Sequence, residues 1–267
     1  MKKIFLNILR IVFVLLLILG VLYFKSKDKK INISEDTDKI TGVVENKEKV
    51  GACTRTTRLE NSPYLDRALS LIEEKYKSWE NSTHNYYTVF SAQLTNCIKV
   101  VEDETIKVNN VEGYFIFDDE KISKNYFPIY INKRYRYSDE AVNAMLLVHE
   151  ITHVQQYIDK VNDKTPLSCV DKEVEAFNAQ YNFIMNLSGE YIKSVNLRID
   201  NDEYLNPQLQ IIKAIRQQYV SNGLIVSIKT NCINGGGGED CLNNDQKIKI
   251  KEIISKEDTY KEQCGLE

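Results

Sequence analysis

The segment His149-Glu150-Ile151-Thr152-His153 follows directly on the apolar run Ala144-Met145-Leu146-Leu147-Val148, and this stretch constrains the fold more than any other. Ser138 suits an N-cap and Asp139 and Glu140 suit a first helical turn, so the sequence predicts a helix from there through about Lys160. Residues four apart share one helix face, so His149 and His153 can present their imidazoles to a single ion about 2.0 to 2.1 Å away. Glu150 points too far round the helix to be a third ligand. It lies near enough to take a proton from a water that the ion activates.

The chain holds three histidines, and the third, His84, lies far upstream, so no downstream histidine can complete the site. A catalytic zinc takes three protein ligands and keeps one open position, which calls for a carboxylate from another segment. A helix predicted over Asp171 to Leu187 offers Glu173 and Glu175. At 100° per residue its apolar face is Val174, Phe177, Tyr181 and Ile184, with Glu173 roughly 60° from the centre of that face and Glu175 roughly 140° away. The expected site is therefore Zn2+ held by His149, His153 and Glu173, with Glu150 as the catalytic base and Glu175 turned toward solvent.

The two histidines, followed twenty positions after the second by Glu173 in Glu-Val-Glu-Ala, resemble the gluzincin class of zinc peptidases. The longer string His149 to Gln156 is also similar to bacterial metallopeptidase domains, and the resemblance covers roughly Phe127 to Leu187. It implies a zincin-like fold, in which the histidine helix packs on a glutamate helix and the edge strand of an upstream sheet lines the substrate cleft. Ile129-Tyr130-Ile131-Asn132 is the segment placed to be that edge, pairing with an extended peptide through backbone hydrogen bonds. Thermolysin-like relatives carry an aspartate four residues after the glutamate to orient the first histidine; here that position is Phe177, with Asn178 beside it as a substitute. Such relatives also stabilise the oxyanion with a downstream histidine or a tyrosine, which leaves Tyr181, Tyr191 or Tyr204 for that task.

Elsewhere the chain reads as α+β, with strands first and helices afterwards. Ser62-Pro63 opens a helix with Leu65, Ala68, Leu69, Ile72, Tyr76 and Trp79 at helical spacing. Runs at Tyr86 to Leu94, Ile98 to Val101, Tyr114 to Phe117 and Ile129 to Tyr135 predict a small, mostly antiparallel sheet. Further helices are expected from Pro207 to about Val220 and from Asp245 to about Gln263.

Residues 1–24 read as a membrane anchor or uncleaved signal, because the apolar run ends Val21-Leu22-Tyr23-Phe24 with no small-residue cleavage site. Residues 25–52 read as a flexible tether and 53–267 as the folded domain. Lys25, Lys27, Lys29 and Lys30, taken alone, leave that domain in the cytoplasm. The six cysteines all follow the anchor, and their even count places the domain outside, in an oxidising compartment; free buried thiols in a cytoplasmic domain are the alternative. Cys232 and Cys241 bracket a glycine-rich loop that a disulfide could close, and the other pairings stay open. A net charge of −3 with no basic stripe excludes nucleic acid as a partner. The expectation is a single-pass, membrane-anchored zinc peptidase acting on peptide or protein substrates. A non-catalytic surface interaction module with a structural or vestigial zinc site is the alternative.

Overall fold

The computed structural model describes residues 53–80, 91–104, 112–116, 121, 125–162, 164–187, 189–201, 208–214 and 244–266. The expected anchor and tether, residues 86–90 of the first predicted strand, Tyr204, Cys232 and Cys241 lie outside these residues, as does the side chain of Trp79. No helix among the described residues is long and apolar enough to cross a membrane.

Helix α1 (Pro63–Glu80) starts as the sequence predicts. Pro63 takes a first-turn position where its missing N–H costs nothing, and the Ser62 carbonyl accepts from Leu65 and Asp66. Leu65, Ala68, Leu69, Ile72 and Tyr76 are all buried along one stripe. The end of the first predicted strand is instead a 3-10 turn, Ala92–Cys97, in which the Thr95 hydroxyl bonds the Ala92 carbonyl at 2.7 Å. Such a local side-chain bond competes with strand pairing. A disulfide to Cys53 fixes the end of this turn at Cys97.

Three strands follow: β1 (Ile98–Asp103), β2 (Gly113–Phe115) and β3 (Phe127–Asn132), in the order β1-β3-β2. β1 runs parallel to β3, with Ile98 opposite Phe127, and β2 runs antiparallel to it, with Gly113 opposite Ile131. The sheet is therefore mixed, where the sequence suggested mostly antiparallel pairing. A parallel pair needs a long connection, and residues 104–126 provide one that carries β2 on the way. The expected edge strand, Ile129 to Asn132, is also corrected: it lies in β3, the central strand. Five of the six β3 residues are buried, the pattern of a strand covered on both faces. β3 ends at Asn132, before Tyr135, because the Asn132 side chain accepts from the Arg134 N–H at 3.0 Å and starts a second 3-10 turn, Lys133–Tyr137.

Helix α2 (Glu140–Val161) carries the motif. Its cap is Asp139 rather than Ser138: the Asp139 carboxylate accepts from the Ala141 N–H at 2.8 Å, while Ser138 closes the preceding turn. Every residue from Ala141 to Thr152 is buried, so the helix is enclosed around its whole circumference. α1 covers one side. Helices α3 (Cys169–Met185) and α4 (Gly189–Asn201), with strand β2, cover the others. The Ser168 side chain accepts from Asp171 to cap α3. α4 has no counterpart in the sequence-based expectation, although Val195 and Ile199, one turn apart, are buried along it.

After the helical residues 208–214 (α5), the predicted helix from Asp245 to Gln263 is two helices, α6 (Asn244–Ile254) and α7 (Asp258–Cys264). Tight bonds from Lys256 to the Ile253 carbonyl and from Glu257 to the Ile254 carbonyl end α6. α7 then packs on α3, where Cys264 forms a disulfide with Cys169. Among the described residues no cysteine is free. The Cys169–Cys264 bridge closes a separation of 95 residues. Replacing Cys264 by Ser should therefore lower unfolding stability by about 2 to 5 kcal/mol, read from chemical denaturation at equal metal content.

Candidate metal centre

His149 and His153 lie one turn apart on α2, and Glu173 reaches them from the second turn of α3. Ligand atoms of the three lie within 4.8 Å of one another. Glu173 Oε2 is 3.3 Å from His149 Nε2, and Glu173 Oε1 is 3.5 Å from His153 Nε2. His149 and Glu173 are each 3% exposed, and His153 is partly open to the cleft. With His153 Nδ1 bonded to Gln156 Oε1, a neutral His153 turns the lone pair of Nε2 toward Glu173 Oε1, and a proton or a cation between them relieves that contact. The donor set and spacing fit a metal ion with three protein ligands and one side open.

Without metal, the proton sits on the imidazole side of this cluster. Burial disfavours charge on His153, but the Glu173 carboxylate outweighs it and raises the pKa to about 9. For Glu173 burial acts upward, and the two histidines overcome it, holding the carboxyl well below its ordinary range.

Glu150, next to His149 and buried, is held above the ordinary carboxylate range by burial, partly offset by both histidines and by a backbone N–H from Phe115. That N–H belongs to β2, so β2 is the edge facing the site. The approach is close: a Cβ on Gly113 would sit 2.8 Å from the Tyr130 carbonyl oxygen and 3.7 Å from Glu150 Cγ. Glycine is needed here for space.

The supporting contacts include residues that the sequence reading did not single out. Gln156 Oε1 bonds His153 Nδ1 at 2.9 Å, while its Nε2 donates to Glu175 Oε2 at 2.7 Å and to the Lys172 carbonyl at 2.9 Å. This fixes the His153 ring with Nε2 turned to the site, as orienting bonds to ligand histidines do. Glu175, expected to face solvent, is instead half-buried and anchors Gln156, outside the converging group. Position 156 lies one turn past His153, so helical spacing could have pointed to it. Gln263 Nε2 donates to Glu173 Oε1 at 2.9 Å from α7. No local signal exposes a contact across 90 positions.

Phe177 packs edge-on against His149, with ring centroids 4.7 Å apart, and among the described residues His149 Nδ1 has no hydrogen-bond partner. Packing against Phe177, together with Glu173 at Nε2, therefore holds that ring. Asn178 is buried but makes no hydrogen bond to His149.

These residues border a cleft of about 460 Å³, within the usual range for a ligand site. Its walls are β2, the side of α2 from His149 to Lys160, Lys172 and Glu173 of α3, and the α7 residues Tyr260 and Gln263. Tyr260 is 6% exposed and its hydroxyl takes no hydrogen bond among the described residues; burial, then Glu173 and Glu150, keep it protonated. Of the tyrosines expected from sequence, Tyr181 is buried away from the cleft. Tyr191 bonds Glu140 at the far end of α2, and Tyr204 lies outside the described residues.

No protein-family model, curated protein or solved structure matches this chain. The functional reading therefore rests on the site's own geometry.

Alanine at His149, His153 or Glu173 should abolish stoichiometric binding of a divalent metal, read by metal analysis after dialysis, whereas Glu175→Ala should keep it with affinity reduced about tenfold or more. The raised His153 pKa also sets a pH dependence. Between its unfolded value near 6.5 and about 9, the folded metal-free protein binds the extra proton. Stability from this source is full below about pH 6.5 and falls as pH rises through about 9. Denaturant midpoints of the metal-free protein should show that decline, and His153→Gln should flatten it.

Proposed function

We propose that this protein is a zinc-dependent peptidase, a hydrolase in which a water attacks a peptide carbonyl. The observation that carries this reading is Glu150: a buried carboxylate beside three converging candidate ligands, on the wall of a cleft. Zinc bound by His149, His153 and Glu173 would supply Lewis acidity to a substrate carbonyl and acidify a water in the same site.

This chain's residues do the rest. Glu150 takes the proton from the attacking water and gives it to the leaving amine; its raised pKa brings both transfers closer to working pH. Phe115 N–H steadies the carboxylate for that exchange. β2 offers an extended substrate backbone an antiparallel partner beside Glu150, a task the sequence had given to Ile129 to Asn132. Tyr260, protonated, without a hydrogen-bond partner among the described residues and on the wall of the same cleft, would donate to the negative oxygen that develops at the carbonyl. The expected membrane anchoring and extracytoplasmic placement belong to this same proposal, supported by the apolar run in residues 4–24 and by the two disulfides.

One observation favours the second reading, a surface module with a structural or vestigial zinc site. Among the described residues, His149 Nδ1 lacks the acceptor that usually orients a ligand histidine.

Turnover of a broad peptide library separates the two. The wild-type protein should cleave, Glu150→Gln should keep zinc and lose cleavage, and Tyr260→Phe should lower kcat by about 10²- to 10³-fold with KM little changed. Full zinc occupancy with no cleavage by the wild type would establish the surface module instead.

A further inference from the structure

The cleft carries two positive charges that the proposed chemistry does not use. Along α2 its wall runs through His153, Gln156 and Tyr157 to Lys160, and Lys172 lines it from α3. Gln156 joins the two lysines' surroundings: its amide bonds the Lys172 carbonyl, and Lys160 follows it by one helical turn. Neither lysine has an ion-pair partner among the described residues, and several carboxylates of this region have partners of their own. Asp159 pairs with Lys164 at 2.8 Å, Asp171 with Lys251 at 2.9 Å, Glu112 with Arg134, and Glu175 accepts from Gln156. Lys160 is exposed and Lys172 half-buried, so both ammonium groups can reach a ligand in the cleft. On the same side, Phe115 and Tyr157 form an aromatic wall with ring centroids 6.0 Å apart.

We propose that the cleft selects peptides that carry a carboxylate, received by Lys160 and Lys172, beside an apolar side chain packed on Phe115 and Tyr157. This rests on the peptidase reading and names its substrate class. Lys160 lies seven positions after His153 on the helix, a rise of about 10 Å. An extended peptide covers that distance in about three residues, which places the carboxylate two or three positions from the bond above the metal centre. The carboxylate is either an acidic side chain or a free C-terminus. Both present the same oxygens to an ammonium group.

Binding is measured by fluorescence anisotropy on the full-length Glu150→Gln protein, so that no cleavage intervenes. Four labelled peptides share one apolar sequence, with Glu or Gln at the chosen position and a C-terminal acid or amide. At least one carboxylate form should bind about tenfold tighter than the peptide with Gln and an amide, and the advantage should shrink with added salt. Glu with amide against Gln with free acid distinguishes side chain from terminus.

The Lys160→Gln/Lys172→Gln pair should remove the advantage at unchanged metal content, and Lys160→Glu/Lys172→Glu should reverse it for a peptide with Lys at that position. Equal binding of all four peptides, or an advantage that survives the loss of both lysines, overturns the proposal. Lysine-dependent binding without cleavage by wild type would overturn the peptidase reading and leave this inference standing. Cleavage indifferent to the carboxylate would do the reverse.

Discussion

Enclosure of α2 on all sides is the constraint from which the rest of the structure follows. A helix buried around its circumference from Ala141 to Thr152 contributes much to the core, yet it takes His149 and Glu150 into the same low-polarity surroundings. Ionisable groups there must be matched or neutralised. Glu173 answers the histidines from α3, Gln156 and Gln263 answer the remaining polar atoms, and Phe115 N–H faces Glu150. The packing that stabilises the fold and the electrostatics that define the site are thus one arrangement.

That arrangement explains why two glutamates behave differently. Glu173, shared by two imidazoles, is held ionised, whereas Glu150, one residue from His149, has its proton affinity raised by burial. One is suited to holding a cation and the other to exchanging a proton. Environments that push two carboxyls apart in this way give acid–base sites their division of labour.

The parts of the site legible in the sequence are those fixed by local geometry. His149, Glu150 and His153 share one helix, and the choice of Glu173 over Glu175 followed from angular position alone. Strand order was not legible, because the parallel pairing of β1 with β3 depends on what residues 104–126 do, and an apolar run fits an edge or a centre equally well. The break between α6 and α7 carries no glycine or proline, so periodicity ran straight across Ser255-Lys256-Glu257. Tyr260 and Gln263 could not be foreseen, since neither sits at a recognisable spacing from the motif.

The Cys169–Cys264 bridge has a further consequence for the order in which the centre can be assembled. The three candidate ligands span 25 positions, from His149 to Glu173, whereas Gln263 meets Glu173 across 90. As the ribosome extends the chain, all three donors emerge well before the segment that walls them in. Two time points are thereby built into the sequence: a short loop brings the donors together, and a late disulfide from Cys264 to Cys169, beside those donors, completes the cavity around them.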